Sequence, residues 1–443
     1  MTFEHLRSQS TLFVTEQARI SGEQFLGDLS RYCSQLSAIE NNKQVLLFES
    51  DTYLFAVKFF ALSMSGFDIY LPQNSQPHTL AALQSRVSYC AGSALAIDGL
   101  DNLDKRTGLN LPTNVEYHWP EIGKVFFSTS GSTGEPKIIE KCWQYLNIEC
   151  DTLIATFGLG NEDACLSTVP HFHIYGLLFK LLVPLKLAVP IWPMIEFPEQ
   201  GVAQLQNVRR CVLISSPAFL KRLVINNHFS AEKNKLVHVF SSGGPLADDD
   251  AIQLYSQLNV GVTQVYGSTE SGGIAFRRVT SLPASLWQPF KGIDISVNDS
   301  GQLLLRSRYI AESSMLMDDK IELIDGNWFR LCGRVDRTVK LEEKRVNLSE
   351  VEALLMEHAW VAEAKVLVLN GKRQELAAVI GLSEEGQLKI ESMRRFLFNR
   401  QLNQWLGQKL ESVVRPRKWR YVQELPYNAQ GKVEHMTLEK LFE

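Results

Sequence analysis

Between Lys124 and Val265 five short apolar runs recur, "KVFF", "CLSTV", "CVLIS", "LVHVF" and "VTQV". A polar loop follows each of them at once: "STSGSTGEPK", "PHFHIYG", "SP", "SSGGPL" and "YGSTESGG". Helical stretches lie between most of the runs. Apolar runs of this length, spaced by helices, predict parallel strands covered by helices. Parallel strands set their C-terminal ends on one edge, and open α/β folds bind ligands beyond that edge. The five loops are therefore expected at one crevice. Upstream, "KQVLLFES", "DTYLFAVKFFALSMSG" and "DIYLP" read as strand, helix and strand, with Asp51 as N-cap and Gly66 as stop.

The remaining chain limits the choice of function. Net charge is −4, from 45 basic and 49 acidic residues, and no basic block is present, which argues against a nucleic-acid partner. The most apolar stretch, Leu177 to Ile195, carries Lys180, Lys186 and three prolines. It reads as a buried helix, a turn and a strand, with no membrane span. The first residues lack the apolar core of a signal peptide, and the 7 cysteines are scattered without a CxxC pair. Both features predict a cytoplasmic protein without structural zinc. Beyond Gly333 the composition shifts to dense charge. Ser349 and Glu352 have capping-box spacing, two apolar strands flank Asn370–Gly371, and one amphipathic helix is expected around Ser392–Leu410. The predicted division is residues 1–333 and a small α+β domain, 334–443.

The loop Ser128–Lys137 has its own chemistry. Gly131 and Gly134 let backbone N–H groups turn inward, while Ser128, Thr129, Ser130, Ser132 and Thr133 supply hydroxyls and Lys137 a positive charge. Such a loop cradles polyphosphate. It is not a Walker motif, because GxxxxGK[ST] is absent. Read alone, the same residues also suit a flexible Ser/Gly surface loop.

"STSGSTGEPK" resembles the phosphate-binding loop of the adenylate-forming enzyme superfamily, and four more motifs follow in that family's order. "SSGGPL" resembles its adenine-side loop, with Gly243, Gly244 and Pro245. "VYGSTESGG" resembles its Tyr-Gly-x-Thr-Glu element. The resemblance implies that Tyr266 lies against adenine, with Gly267 and Ser268 beside it, that Thr269 meets phosphate and that Glu270 holds Mg²⁺. "GRVDRTVK" resembles the hinge, implying Arg334 near ribose or phosphate, Asp336 as pivot, and Lys340 and Arg345 close by. "LPYNAQGKV" resembles the C-terminal motif whose lysine, here Lys432, reaches the acyl phosphate. "PHFHIYG" resembles the histidine element of acyl and aryl ligases, with His173 in the matching place.

The resemblance implies an α/β fold: a large N-terminal domain of parallel sheets covered by helices, and a small α+β C-terminal domain on a hinge. It implies ATP and Mg²⁺ as cofactors, adenylation of a carboxylic acid, and transfer of the acyl group to CoA or a phosphopantetheinyl carrier protein. Where the family has Thr-Gly-Asp, this chain has "MDD", which assigns the ribose contact to Asp319. "KLEEKRV" puts Glu343 where the family has glycine, while Arg345 is retained. An acidic side chain there disfavours the anionic phosphates of free CoA and points to an acyl carrier protein. No aspartate stands where amino-acid-activating domains hold an α-ammonium. Phe172, Tyr175, Phe179, Phe219 and Phe240 are expected to wall an apolar pocket for an aromatic or medium-chain acid. The alternatives are an amino-acid-activating domain and a non-catalytic nucleotide-binding relative.

Overall fold

The computed structural model describes residues 2–37, 39, 43–93, 95, 97–105, 117–121, 123–129, 137–160, 162–226, 228–324, 328–335, 337–341, 344–370, 374–428, 433 and 435–443. These fall into two compact units, one built on residues 1–293 with 306–313, the other on 294–305 and 314–428 with the C-terminal residues.

In the first unit the expected β-α-β element is present. The strands Gln44–Leu47 and Asp68–Leu71 pair in parallel. Between them runs the helix Thr52–Met64, whose Asp51 carboxylate accepts from the Leu54 N–H. The chain leaves this helix through Gly66, at φ 76°. Eleven residues of the helix, Thr52 to Ser63 without Leu54, are buried. Its Phe59 and Phe60 sit in an aromatic cluster: Phe60 lies 5.2 Å from Phe3 and 5.1 Å from Trp119, and Phe59 lies 5.2 Å from Trp143. Burial of each such ring stabilises the fold by roughly 1.5–3 kcal/mol.

The parallel strands divide between two sheets, a partition that the recurrence of apolar runs does not by itself reveal. Among the described residues, one sheet runs in the order Asp101–Asn102, Tyr89–Ala91, Gln44–Leu47, Asp68–Leu71, Lys124–Thr129, Lys137–Cys142. The "KVFF" strand thus belongs with the N-terminal β-α-β element, in parallel with Asp68–Leu71. The other four runs lie in a second sheet, at Ala164–Ser167, Cys211–Ser215, Leu236–Ser241 and Val262–Ser268, mutually parallel. Its helix-covered core contains Leu166, Leu213, Val239, Val262, Leu220 and Leu254. Leu177–Ile195 forms a buried helix with a π turn at Leu177–Leu182, then a turn and the strand Ile191–Met194.

The second unit holds an antiparallel sheet of Asp294–Val297, Gln302–Arg306, Met315–Ile324 and Trp328–Arg334. It also holds a ribbon of Thr338–Leu341 with Lys344–Asn347, and a sheet of Val361–Asn370, Gln374–Leu382 and Lys418–Val422. Two local expectations need correction. The helix placed at Ser349 begins at Leu348, and its cap is Asn347, whose side chain accepts from the Ser349 N–H. Glu352 is turned into the core, where Arg337 and Lys365 pair with it and the Val366 N–H donates to it at 2.8 Å. The long helix expected around 392–410 is a shorter one, Arg395–Leu406, and a separate helix, Glu384–Ser392, precedes it, ended by Met393, which is extended at φ −138° and ψ 162°.

Among the described residues no helix is long and apolar enough to cross a membrane.

Candidate functional site

The two sheets of the first unit meet where the flank of the phosphate-type loop reaches the hairpin after Val262–Ser268. Ser128 and Thr129 end one strand and Lys137 opens the next, with Thr129 and Lys137 as direct cross-strand partners. The loop between them is thereby closed at its base. Ser130, Gly131, Ser132, Thr133 and Gly134 lie outside the described residues. Ser128 is buried, and the Thr129 hydroxyl donates to the Lys137 carbonyl at 3.2 Å.

Opposite lies "YGSTESGG", which is a β-hairpin. Val262–Ser268 pairs antiparallel with Gly272–Arg278, and Thr269–Ser271 form the turn. Gly267 is required by close approach, since a Cβ there would lie 2.3 Å from the Gly272 carbonyl oxygen. The Ser271 hydroxyl, fully buried, accepts from the Ser268 N–H at 3.0 Å and donates to the Gly272 carbonyl at 2.8 Å. Tyr266 lies edge-on to Trp287 at 5.6 Å, and the Arg277 guanidinium covers the other ring at 5.0 Å.

The two loops are joined by charge. Lys137 Nζ donates to Glu270 Oε1 at 2.7 Å. Burial works to raise the Glu270 carboxyl, but the Lys137 hydrogen bond, its own backbone N–H and the Lys137 charge outweigh it, so the group lies below the usual carboxylate range. Glu270 is thus an ionised carboxylate at neutral pH, with its side chain one-third exposed. Among the described residues no group of three or more His, Cys, Asp or Glu side chains could hold a metal ion. One carboxylate still fits magnesium that arrives on a nucleotide, because Mg²⁺ takes one or two protein carboxylates with phosphate oxygens and water.

Ser242, just after Leu236–Ser241, donates its hydroxyl to the Val265 carbonyl at 3.0 Å and ties the adenine-type loop to the hairpin strand. Gly243 follows at φ 90°, a left-handed conformation that favours glycine, with Gly244 and Pro245 completing the turn.

The histidine element separates two roles that the sequence alone could not tell apart. His171 is fully enclosed. Its Nε2 faces the Glu49 carbonyl at 2.8 Å and its Nδ1 the Thr52 hydroxyl at 3.1 Å. A carbonyl only accepts, so Nε2 carries the proton and Nδ1 accepts. Burial, helped by the Lys180 charge, pushes this ring well below the ordinary histidine value and keeps it neutral. His171 therefore fastens the two sheets together. His173, two residues on, is the N-cap residue of the helix opening at Ile174, and its ring lies 4.8 Å from Phe172. Of the expected pocket aromatics, Phe172 and Tyr175 are half-buried. Phe179, Phe219 and Phe240 are buried in the core, and the cavity lined by Phe179 and Phe240 measures only 10 Å³, room for about one water.

In the second unit Asp319 and Arg334 are cross-strand partners, Arg334 lying 3.5 Å from Asp319 and 3.6 Å from Asp318. The ribbon pairs Lys340 with Arg345 along the backbone. Asp336, Glu343 and Lys432 lie outside the described residues.

Sequence reasoning missed Lys141 and Glu149, both buried and both bonded to the Thr269–Gly273 turn. The signals were present. Lys141 shares the inward parity of Ile139 on its strand, and Glu149 falls in the stripe Trp143, Leu146, Cys150, Leu153 and Phe157 on its helix.

The family model for AMP-binding enzymes matches residues 124–306, and that for the AMP-binding enzyme C-terminal domain matches residues 350–432. A 4-coumarate–CoA ligase of Halorhodospira halophila is 27% identical over 320 residues, covering 70% of this chain and 74% of that protein. A 3,4-dihydroxybenzoate–[aryl-carrier protein] ligase of Bacillus anthracis is 22% identical over 312 residues, covering 70% of this chain and 72% of that protein. Among solved structures, an O-succinylbenzoate coenzyme A synthetase of Bacillus subtilis with ATP and magnesium ion superposes with a TM-score of 0.79 at 16% identity, covering 99% of this chain and 98% of that one. It shares the fold.

Proposed function

Because this chain belongs to the AMP-binding enzymes of the adenylate-forming superfamily, we propose that it activates a carboxylic acid with ATP and passes the acyl group to a thiol. The substrate carboxylate attacks the α-phosphate, forming the acyl-adenylate and releasing pyrophosphate. A thiol then displaces AMP to give a thioester. No enzyme nucleophile is needed, and catalysis rests on positioning and neutralisation of charge.

One observation carries this reading: the Lys137–Glu270 ion pair joins the phosphate-type loop to the Tyr-Gly-x-Thr-Glu hairpin. Each partner has an exchange available when a nucleotide enters. Lys137 passes from carboxylate to phosphate, and Glu270 passes from ammonium to metal. Magnesium held on Glu270 supplies positive charge beside the phosphates. Bringing a carboxylate to about 4 Å from a phosphate charge costs about 4 kcal/mol at an effective dielectric near 20. Lys137, and Lys432 from the C-terminal motif, offset that cost. Tyr266 offers its ring to the base, Thr269 its hydroxyl to phosphate, and Ser128–Gly134 a backbone and hydroxyl cradle. Gly243, Gly244 and Pro245 line the other side of the base. Asp319 takes the ribose hydroxyls with Arg334 alongside, and His173 borders the acid. Residues 334–443 turn about Asp336 between the two half-reactions, with Lys340 and Arg345 in the moving segment.

The acid is aromatic or medium-chain. The acceptor is the phosphopantetheine of a carrier protein, since Glu343 would repel the phosphates of free CoA. A screen of acid-dependent ATP–pyrophosphate exchange over aryl and fatty acids identifies the substrate. Lys432→Ala is expected to lower that exchange by roughly 10²-fold or more, and normal exchange in the variant refutes its role. Efficient turnover with CoA and none with a carrier protein rejects the acceptor.

A further inference from the structure

Lys141 and Glu149 play no part in the chemistry above, yet both carry ionisable groups and are nearly enclosed, at 4% and 3% exposure. Lys141 lies on the strand Lys137–Cys142 and Glu149 on the helix Trp143–Phe157. They reach the same turn from two elements. Lys141 Nζ donates to the Glu270 carbonyl at 2.6 Å, and Glu149 Oε1 accepts from the Gly273 N–H at 2.6 Å. One grips the backbone of the residue that carries the carboxylate, and the other grips the far shoulder. Glu149 also fills the space above Gly272, which has φ +70°, since a Cβ there would lie 2.7 Å from its Oε2.

Closing a turn does not require this. The Ser268 and Ser271 hydroxyls already bond the hairpin to itself. Burying a charge is expensive, and a neutral side chain could satisfy either backbone group. What two charges add is stiffness, because charge-assisted hydrogen bonds are shorter and roughly twice as strong as neutral ones. Stiffness matters where a side chain must face a metal–phosphate group within a fraction of an ångström.

The geometry points to Lys141 and Glu149 as positioning residues that clamp the Thr269–Gly273 turn from below and present Glu270 to the magnesium nucleotide. This rests on the reading of Glu270 as the magnesium carboxylate. Neither residue touches the reacting atoms.

The test is calorimetry of the full chain with α,β-methylene-ATP, with Mg²⁺ and with EDTA, beside AMP in EDTA. The readout is the gain in affinity that Mg²⁺ confers. Lys141→Met and Glu149→Leu are expected to lose about tenfold of that gain or more, the scale of outer-shell partners of a metal ligand. Glu149→Gln keeps a neutral acceptor for Gly273 and is expected to lose about threefold. AMP affinity stays as in the wild type. A merely structural role lowers the melting temperature and leaves the magnesium gain intact, which overturns the inference. Should the apolar variants fail to fold, Glu149→Gln decides: a full wild-type gain overturns the clamp. Glu270→Gln separates the two levels. If it abolishes the gain while the clamp variants keep it, only the clamp is wrong. If Glu270→Gln, or the wild type with and without Mg²⁺, shows no difference, the magnesium reading fails and the clamp falls with it.

Discussion

Two clusters of buried charge sit in the first unit and serve opposite ends. In one, Lys58 Nζ lies 2.6 Å from Glu49 and 2.7 Å from Asp104, with side chains 7%, 6% and 18% exposed. Ser93 donates to Glu49 from its hydroxyl and its N–H, Gly92 N–H and the Tyr32 hydroxyl donate to Asp104, and Lys58 also donates to the Ser93 hydroxyl. In the other, Lys141 and Glu149 each grip a backbone group, and the exposed pair Lys137–Glu270 lies above them.

The environments act on the carboxyls in opposite directions. At Glu49 burial raises the carboxyl, but the Lys58 and Ser93 hydrogen bonds win and lower it. At Glu149 burial wins over the Lys141 charge and the Gly273 N–H, and the carboxyl is raised. At Lys141 burial likewise wins and lowers the amine. A cluster that closes on itself contributes to stability. A cluster that holds charge against its solvation preference spends stability on placement.

The sharpest way to break the contrast is Lys58→Met, which leaves Glu49 and Asp104 buried without their cation. Loss of one partner of a buried pair costs about 3–5 kcal/mol, read as a fall in the denaturant midpoint. Pyrophosphate exchange per folded molecule is expected to stay unchanged. Exchange lost in proportion to nothing measured in stability would show that the first cluster also serves the site.

A smaller effect sharpens the same contrast. Glu49→Gln is expected to lower the melting temperature clearly, while Glu149→Gln at equal burial changes stability by less than about 1 kcal/mol. The pH profiles carry the sign. The Glu49 carboxyl is depressed in the folded state, so its stabilisation is present above the ordinary glutamate value, about 4.3, and is lost as the pH falls through the folded value. The Glu149 carboxyl is raised, so its contribution is most favourable in acid and is lost as the pH rises through its folded value. Removing Glu49 should flatten the acid limb of stability against pH, and removing Glu149 should lift the neutral side. Identical profiles for the two variants would erase the distinction.

Much of this was legible in the sequence where a rule is local. Asp51 and Gly66 marked the ends of a helix, and the five strand-and-loop units stand where the apolar runs placed them. What failed was non-local. "KVFF" has the same character as the other runs, and nothing within it says that its partner is Asp68–Leu71 in a second sheet. Ser349 and Glu352 had capping-box spacing, yet Arg337 and Lys365 drew Glu352 into the core and left the cap to Asn347. Two histidines in one loop differ only in what faces them, which Glu49 and Thr52 decide for His171. Phe179, Phe219 and Phe240 looked like pocket walls because ordinary core and an acyl pocket call for the same side chains. Lys141 and Glu149 belong to none of the five motifs, and only strand parity and the helical stripe point them inward.

The central claim is that the hairpin carboxylate works together with the phosphate-type loop to hold a magnesium nucleotide for adenylation. Acid-dependent ATP–pyrophosphate exchange by Glu270→Gln tests it most directly, at saturating acid and varied Mg²⁺. The account predicts a fall of about 10²–10³-fold with folding intact, against robust magnesium-dependent exchange in the wild type. Wild-type exchange in the variant would contradict it.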